Sequence, residues 1–130
     1  MRRLATVALL VRDYDEAIAW FTGVLGFVLL EDAPREGGKR WVRVGANADG
    51  GGAALLLARA VGDEQLAQVG RQAGGRVALF LEVDDFAGEF AVLAARGVQF
   101  AERPRAEPYG QVAVFVDLYG NRWDLLETPR

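Results

Sequence analysis

Two apolar segments of the chain, residues 7–11 and residues 77–83, have the length and the valine content of β-strands that are buried in a sheet. Each is followed by a run in which apolar side chains recur every three or four positions, as they do along one face of an α-helix. In the first run these side chains are Ala17, Trp20, Phe21, Val24 and Leu25, and in the second they are Phe86, Phe90 and Leu93. The pattern therefore predicts a strand followed by a helix, twice, with Trp20 and Phe21 in the core.

The ends of these helices carry recognisable signals. Asp13, with Glu16 three positions later, forms a capping-box pattern that predicts the start of the first helix. Gly26 and Gly97 follow the last apolar positions, where glycine often adopts the left-handed conformation that ends a helix. The first helix is thus bounded on both sides, and the second at its end.

Three further strands are predicted after each helix, because short apolar segments alternate there with glycine, proline and asparagine. They are residues 28–32, 40–44 and 53–58 in the first half, and residues 99–102, 111–116 and 122–127 in the second. Residues 47–52 and 117–121 tolerate positive φ and are predicted to connect the last two strands of each half. Each half is therefore predicted to be βαβββ.

The two halves repeat each other. Val7 corresponds to Val77, 70 positions later, and Gly26 to Gly97, 71 positions later. A single duplication of this length indicates two paired half-domains. We predict an α+β fold in which two paired βαβββ modules form a concave sheet with a groove. One domain, residues 1–130, would contain module one (about 1–59), a linker (about 60–75) with a short helix at 63–69, and module two (about 76–130).

Composition narrows the function. With 52% hydrophobic residues, a chain of 130 residues can bury a core without disulfides or a structural metal. A net charge of −3 without a long basic cluster argues against a nucleic-acid partner, and the apolar runs are far shorter than the ~20 residues of a membrane helix. We therefore expect a cytoplasmic protein, and the single lysine among 15 basic residues is typical of a GC-rich bacterial genome. The chain has no histidine and no cysteine, the usual ligands of zinc, nickel and non-haem iron.

Three stretches carry a resemblance to a known family. They are VALLVRD at residues 7–13, WF at 20–21 followed by LGF at 25–27, and VDLYGNRWDLLE at 116–127. With the paired βαβββ pattern, they resemble the vicinal oxygen chelate superfamily, which includes glyoxalase I, extradiol dioxygenases, fosfomycin-resistance enzymes and bleomycin-resistance proteins. The resemblance covers essentially the whole chain.

The resemblance implies metal ligands on the first and last strands of each half. Carried over one at a time, the first-half histidine falls on Thr6, and the first-half glutamate falls near Leu56, with Ala54 as the alternative. The second-half histidine falls on Ala78, and the final carboxylate position holds Asp124. Because three of the four positions lack a good metal ligand, we expect no metal, no cofactor, and neither glyoxalase I nor extradiol dioxygenase activity.

Strand alternation places Phe80, Glu82 and Asp124 on the groove side of their strands. Glu82 is either a solvated carboxylate at a strand end or, with Asp124, one of an acidic pair that faces a ligand. Two carboxylates a few ångströms apart would raise one pKa and could serve as acid and base. Both interpretations remain open from the sequence.

Three other side chains are candidates for ligand contact. Trp41 and Arg43 share one face of a predicted strand, so they would present an aromatic ring and a cation together. The alternative is an ordinary packed tryptophan beside a surface arginine. Tyr109 lies where the resemblance implies a loop at the groove mouth, and the alternative is an exposed loop tyrosine.

We predict a homodimeric, metal-independent protein of this superfamily that binds a small molecule and sequesters a drug or metabolite. The acidic balance with Glu82 and Asp124 suits a cationic ligand. The alternative is a glyoxalase-like enzyme without a transition metal, in which Glu82 or Asp124 acts as acid or base. A third interpretation is a vestigial groove. Saturable binding without turnover favours sequestration, and a bell-shaped pH-rate profile favours the enzyme. A closed apolar groove favours the vestigial groove.

Overall fold

The computed structural model describes residues 1–129. The chain divides into two compact units, unit one being Met1–Val69 and unit two beginning at Gly70, so the division falls inside residues 60–75. Each unit runs strand, helix and then further strands, as the internal repeat predicts. Among the described residues, no helix has both the length and the apolar character needed to cross a membrane.

Unit one contains one four-stranded sheet and two helices. Its elements are β1 (Thr6–Val11), α1 (Tyr14–Gly23), β2 (Val28–Pro34), a 3-10 turn (Glu36–Gly38), β3 (Arg40–Gly45), β4 (Ala54–Arg59) and α2 (Gly62–Gln68). The strand order is β1-β4-β3-β2, in which β1 and β4 are parallel and the other neighbours antiparallel. Helix α2 corresponds to the short helix predicted within the linker.

Unit two repeats this plan with one helix and an additional short strand. Its elements are β5 (Val77–Glu82), α3 (Phe86–Ala95), β6 (Gln99–Phe100), β7 (Arg105–Glu107), β8 (Gly110–Val116) and β9 (Arg122–Glu127). The strand order is β5-β9-β8-β6, and β7 also pairs with β8. Strands β5 and β9 are parallel, as β1 and β4 are in unit one. The predicted α+β fold class is confirmed.

One face of each sheet holds the core, because successive side chains of a strand point to opposite faces. In unit one, α1 lies against β2, β3 and β4. The side chains buried with it are Leu9, Val11, Val42, Val44, Leu55 and Leu57 of the sheet and Ala17 and Phe21 of the helix. In unit two, α3 lies against β9, and the buried rings of Phe115 and Trp123 stack with centroids 5.5 Å apart. We call the opposite face of each sheet its open face.

The predicted helix signals are confirmed. The Asp13 side chain accepts a hydrogen bond from the Glu16 backbone nitrogen at 2.8 Å, and α1 begins at the next residue. Gly26 and Gly97 have φ values of 81° and 91°, the left-handed conformation expected after a helix. Asp85 caps α3 in the same way as Asp13 caps α1, accepting from the Gly88 nitrogen at 3.1 Å.

The predicted strand at residues 99–102 is wrong in its length. Strand β6 ends at Phe100, and the separate strand β7 follows Pro104. Proline lacks the N–H group that a central ladder needs, so it interrupts the pairing. Beyond it, Arg105 pairs opposite Val112 of β8. The residues of β7 are mostly polar, which is why no apolar pattern predicted this strand.

The turn between β8 and β9 is organised around one buried carboxylate, Asp117, which is 5% exposed. Its side chain accepts hydrogen bonds from the backbone nitrogens of Tyr119 and Asn121, both at 3.0 Å. It also accepts from the indole nitrogen of Trp123 at 3.1 Å. The turn is thereby tied to a core side chain, which positions the start of β9.

Candidate functional site

The open face of unit two brings three of the predicted site residues together. In the parallel register of β5 and β9, Phe80 lies opposite Asp124, and Glu82 lies opposite Leu126, so Phe80, Glu82 and Asp124 share one face. Their environments differ sharply. Phe80 is 63% exposed and Glu82 is exposed, whereas Asp124 is only 7% exposed.

Asp124 is the most unusual polar group of this face. Its Oδ1 atom is buried and has no hydrogen-bond partner among residues 1–129. Burial raises the pKa of the Asp124 carboxyl above its ordinary value, and the positive charges of Arg105 and Arg122 partly oppose this. From the sequence, we expected a nearby second carboxylate to raise such a pKa. In the structure, desolvation of Asp124 is the main cause. A buried acceptor without a partner is costly, so a donor from a ligand would be bound favourably.

Arg105 links Asp124 to the loop that carries Tyr109. It forms ion pairs with Glu102 and with Glu107, the latter at 2.7 Å from its Nε atom. Hydrogen bonds from Arg105 to Glu107 and to Tyr109 raise the pKa of its guanidinium, against the opposing effect of burial. Tyr109 is 49% exposed. Sequence reasoning missed Arg105, because its position on this face depends on β7, which the pattern did not predict.

The open face of unit one carries Trp41 and Arg43, as alternation predicted. Arg43 lies opposite Glu31 of β2 and forms an ion pair with it. Its Nε atom also donates to Thr6 Oγ1 at 3.2 Å. The Arg43 charge is therefore already engaged within the protein. Trp41 is 36% exposed and lines a pocket of about 500 Å³ that Arg43 does not line.

Three of the four positions at which the resemblance implies metal ligands lack a side chain that binds a metal well. Leu56 and Ala78 have no donor atom, and the Thr6 hydroxyl accepts a hydrogen bond from Arg43. Asp124 alone supplies a carboxylate. Within residues 1–129, no three His, Cys, Asp or Glu side chains lie close enough to hold a metal ion. A divalent metal needs several such donors, so this residue set does not fit one.

The raised pKa of Asp124 predicts how stability depends on pH. A carboxyl whose pKa is raised on folding favours the folded state when protonated. This contribution is complete below the ordinary aspartate pKa of about 3.9 and is lost as pH rises through the raised pKa. Asp124→Asn cannot ionise, so we expect it to gain stability relative to the wild type between about pH 4 and pH 7.

Urea unfolding at the two pH values measures this difference. The exposed Asp84 provides a matched control, and Asp84→Asn should change stability by less than about 0.5 kcal/mol. An Asp124→Asn variant that became less stable than the wild type as pH rises would contradict the assignment of desolvation as the dominant effect.

Comparisons with known proteins identify the family. The family model of the Glyoxalase/Bleomycin resistance protein/Dioxygenase superfamily matches residues 3–125. An uncharacterized protein of Shewanella frigidimarina (strain NCIMB 400) is 50% identical over 125 residues, which cover 93% of this chain and 90% of that protein.

Solved structures agree with the family model. UcmS2 is 30% identical, with a TM-score of 0.82 and coverage of 97% of this chain and 98% of its own. TnmS3, an antibiotic binding protein from Streptomyces sp. CB03234, is 26% identical, with a TM-score of 0.78 and coverage of 99% and 98%. The predicted resemblance is thus confirmed: the chain belongs to the Glyoxalase/Bleomycin resistance protein/Dioxygenase superfamily.

Proposed function

We propose that this protein binds a small organic molecule without a metal and sequesters it unchanged. The observation that carries the proposal is the buried Oδ1 atom of Asp124, which has no partner among the described residues. Support comes from the lack of metal-binding side chains at Thr6, Leu56 and Ala78. The antibiotic binding of TnmS3, a relative of the same fold, also agrees with this function.

The open face of unit two offers complementary groups for a cationic aromatic ligand. Asp124 would accept a hydrogen bond from an ammonium or hydroxyl group of the ligand. The exposed rings of Phe80 and Tyr109 would cover its apolar surface, and Glu82 would add negative charge at the solvent side. On the open face of unit one, Trp41 and Arg43 remain separately proposed ligand contacts, although the Glu31 ion pair leaves Arg43 less available.

Equilibrium binding of daunorubicin, a planar aromatic antibiotic with one ammonium group, tests this proposal. We expect saturable binding by fluorescence anisotropy, and recovery of the intact compound by mass spectrometry after prolonged incubation. The protein is first washed with chelator, so that daunorubicin binding is measured in the absence of metal. Consumption of the compound, or absence of saturable binding, would contradict sequestration of this ligand class.

The carboxylates should contribute unequally to this binding. Asp124→Asn is expected to weaken daunorubicin binding by roughly 1 to 3 kcal/mol, because a charge-assisted hydrogen bond is lost at a buried site. Glu82→Gln should weaken it by less than about 1 kcal/mol, because Glu82 is exposed to solvent. Glu89→Gln removes an exposed charge on α3 and serves as the control. If the wild type and the three variants bound daunorubicin with equal affinity, Asp124 would not be a ligand contact.

A second candidate function is catalysis by Asp124 as a general acid or base. The raised pKa of its carboxyl favours this alternative, because a carboxyl that protonates more readily can exchange a proton nearer neutral pH. Turnover of a bound compound with a bell-shaped pH-rate profile, lost in Asp124→Asn, would support the enzyme. Binding without turnover supports sequestration.

We also propose that the protein is a cytoplasmic homodimer. Exposed apolar side chains such as Val7, Leu29 and Phe80 on the strands give a second copy surface to cover. A specific interface would bury on the order of 1,200 Å² or more in total. Light scattering after size-exclusion chromatography should give twice the chain mass of 14.1 kDa at high micromolar concentration. A monomer mass under those conditions would contradict the dimer.

A further inference from the structure

A pocket of about 500 Å³ opens in unit one, where β3 begins and β4 ends. The rings of Tyr14 and Trp41 line it, together with the apolar side chains of Leu56 and Ala58. Pockets for organic small molecules range from ~300 to ~1,000 Å³, so this one is large enough for a ligand of several rings. Phe80, Glu82, Tyr109 and Asp124 of unit two do not line it, and Trp41 is the one predicted ligand contact that does.

The charged residues of this pocket all have the same sign. Arg35, Lys39, Arg40 and Arg59 line it, and no Asp or Glu of the described residues does. The chain as a whole has a net charge of −3, so this is a local reversal of its overall charge. A concave surface lined by one sign of charge concentrates ligands of the opposite sign.

Arg40 differs from the other three cations. Its guanidinium pairs with Asp15 at 2.9 Å and with Asp32 at 2.7 Å, and the hydrogen bond from Arg40 lowers the pKa of Asp32. Two carboxylates thus face one guanidinium, so the charge of Arg40 is more than offset within the protein. Its role in the pocket is to hold Tyr14, whose hydroxyl accepts a hydrogen bond from the Arg40 backbone nitrogen at 3.1 Å.

Arg35, Lys39 and Arg59 make no ion pair within residues 1–129. Arg35 donates to the Pro34 carbonyl at 3.2 Å, and Arg59 donates to the Gly38 carbonyl at 3.4 Å. Neutral carbonyl acceptors orient a guanidinium without cancelling its charge. Three positive charges thus remain unbalanced around one cavity.

The same guanidinium groups lie against the aromatic rings. The Arg59 guanidinium is 5.1 Å from the ring centroid of Tyr14, and that of Arg35 is 5.8 Å from the ring centroid of Trp41. Guanidinium groups held over aromatic rings offer N–H donors to an acidic substituent, next to apolar surface on which a planar ligand can pack. The apolar surface and the charge therefore select for the same kind of molecule.

We propose that this pocket binds an aromatic organic anion, a ring system that carries a carboxylate or a similar acidic group. The ring packs against Trp41 and Leu56, and the acidic group pairs with Lys39 and Arg59. This site is additional to the proposed function, because it lies in unit one, takes a ligand of opposite charge and does not depend on Asp124.

Isothermal titration of the wild-type chain with 2-naphthoate and with its neutral analogue 2-naphthamide tests the proposal. The two compounds share ring and shape, so their difference isolates the charge. We expect one 2-naphthoate per chain, bound at least about tenfold more tightly than 2-naphthamide at low salt. Equal affinity of the two compounds, or no 2-naphthoate binding up to millimolar concentration, would overturn it.

Two variants locate the charge that is responsible. Lys39→Gln and Arg59→Gln should each weaken 2-naphthoate binding roughly threefold to tenfold and leave 2-naphthamide binding nearly unchanged. Arg71→Gln removes one exposed arginine from unit two and is the charge-matched control. Lys39 is exposed and stacks on no ring of residues 1–129, so its variant tests the site even if Arg59→Gln loosens Tyr14.

If both variants bound 2-naphthoate as tightly as the wild type does, the proposed site would be overturned, however tight that binding is. Asp124→Asn is expected to bind 2-naphthoate as the wild type does. A failure of this proposal is therefore distinguishable from a failure of daunorubicin binding, because the two ligands report on different residues.

Discussion

Asp117→Ala is expected to lower the free energy of unfolding by about 2 to 4 kcal/mol. The Asp117 carboxylate is buried and accepts hydrogen bonds from the backbone nitrogens of Tyr119 and Asn121 and from the indole nitrogen of Trp123. Removing it leaves these donors without their acceptor inside the protein, which costs more than a lost surface contact. The midpoint and slope of urea unfolding measure the effect.

Two variants separate this effect from a general loss of charge. Asp117→Asn keeps one acceptor oxygen, so it should lose less stability than Asp117→Ala. Asp84→Ala removes a carboxylate from an exposed position and should change stability by less than about 0.5 kcal/mol. If Asp117→Ala and Asp84→Ala had similar midpoints, the hydrogen-bonded turn would not be a major contributor to stability.

Gly110→Ala should destabilise the protein by a similar amount, about 2 to 4 kcal/mol, for a different physical reason. Gly110 has a φ of 136°, a backbone conformation that residues other than glycine rarely adopt. A Cβ atom at this position would also lie 2.1 Å from the carbonyl oxygen of Glu127, which belongs to the neighbouring strand β9. Backbone cannot rotate away as a side chain can, so β8 and β9 must move apart.

Gly75→Ala is the control that isolates this clash. Gly75 has a positive φ of 92°, but a Cβ atom there would have no heavy atom of the described residues within 4 Å. Its substitution should cost only the conformational penalty of about 1 to 2 kcal/mol. Thermal or urea unfolding of both variants gives the comparison, and an equal loss in the two would show that the close approach to Glu127 is relieved at little cost.

The candidate site illustrates where strand alternation stops being informative. Alternation placed Glu82 and Asp124 on one face, and the register of β5 and β9 agrees with that placement. It could not show that one carboxylate is exposed and the other buried. That difference separates a solvated charge from a desolvated group that can bind a ligand or a proton.

Arg43 and Arg105 show that the sequence pattern also cannot predict the partners of a positive charge. The sequence identified Arg43 as a candidate contact, but β2 places Glu31 opposite it and an ion pair forms. Arg105 received no functional assignment, although its charge acts on Asp124. In both cases the partner is distant in sequence or depends on a pairing that local patterns do not reveal. The proposed ligand contacts themselves remain predictions for the experiments described.

The sequence by itself indicated the family through its motifs, and it determined the βαβββ order of the first half and, apart from β7, of the second. It also determined the helix ends at Asp13, Gly26 and Gly97 and the lack of histidine and cysteine ligands. Apart from the family, which rests on the resemblance, these features follow from side-chain periodicity and from residue type, which neighbouring positions alone define. Only the tertiary structure decided that Asp124 is buried and that a basic pocket forms beside Trp41. Burial and unbalanced charge depend on which distant segments meet, and the lining of that pocket comes from α1, β3, β4, α2 and the turn before β3.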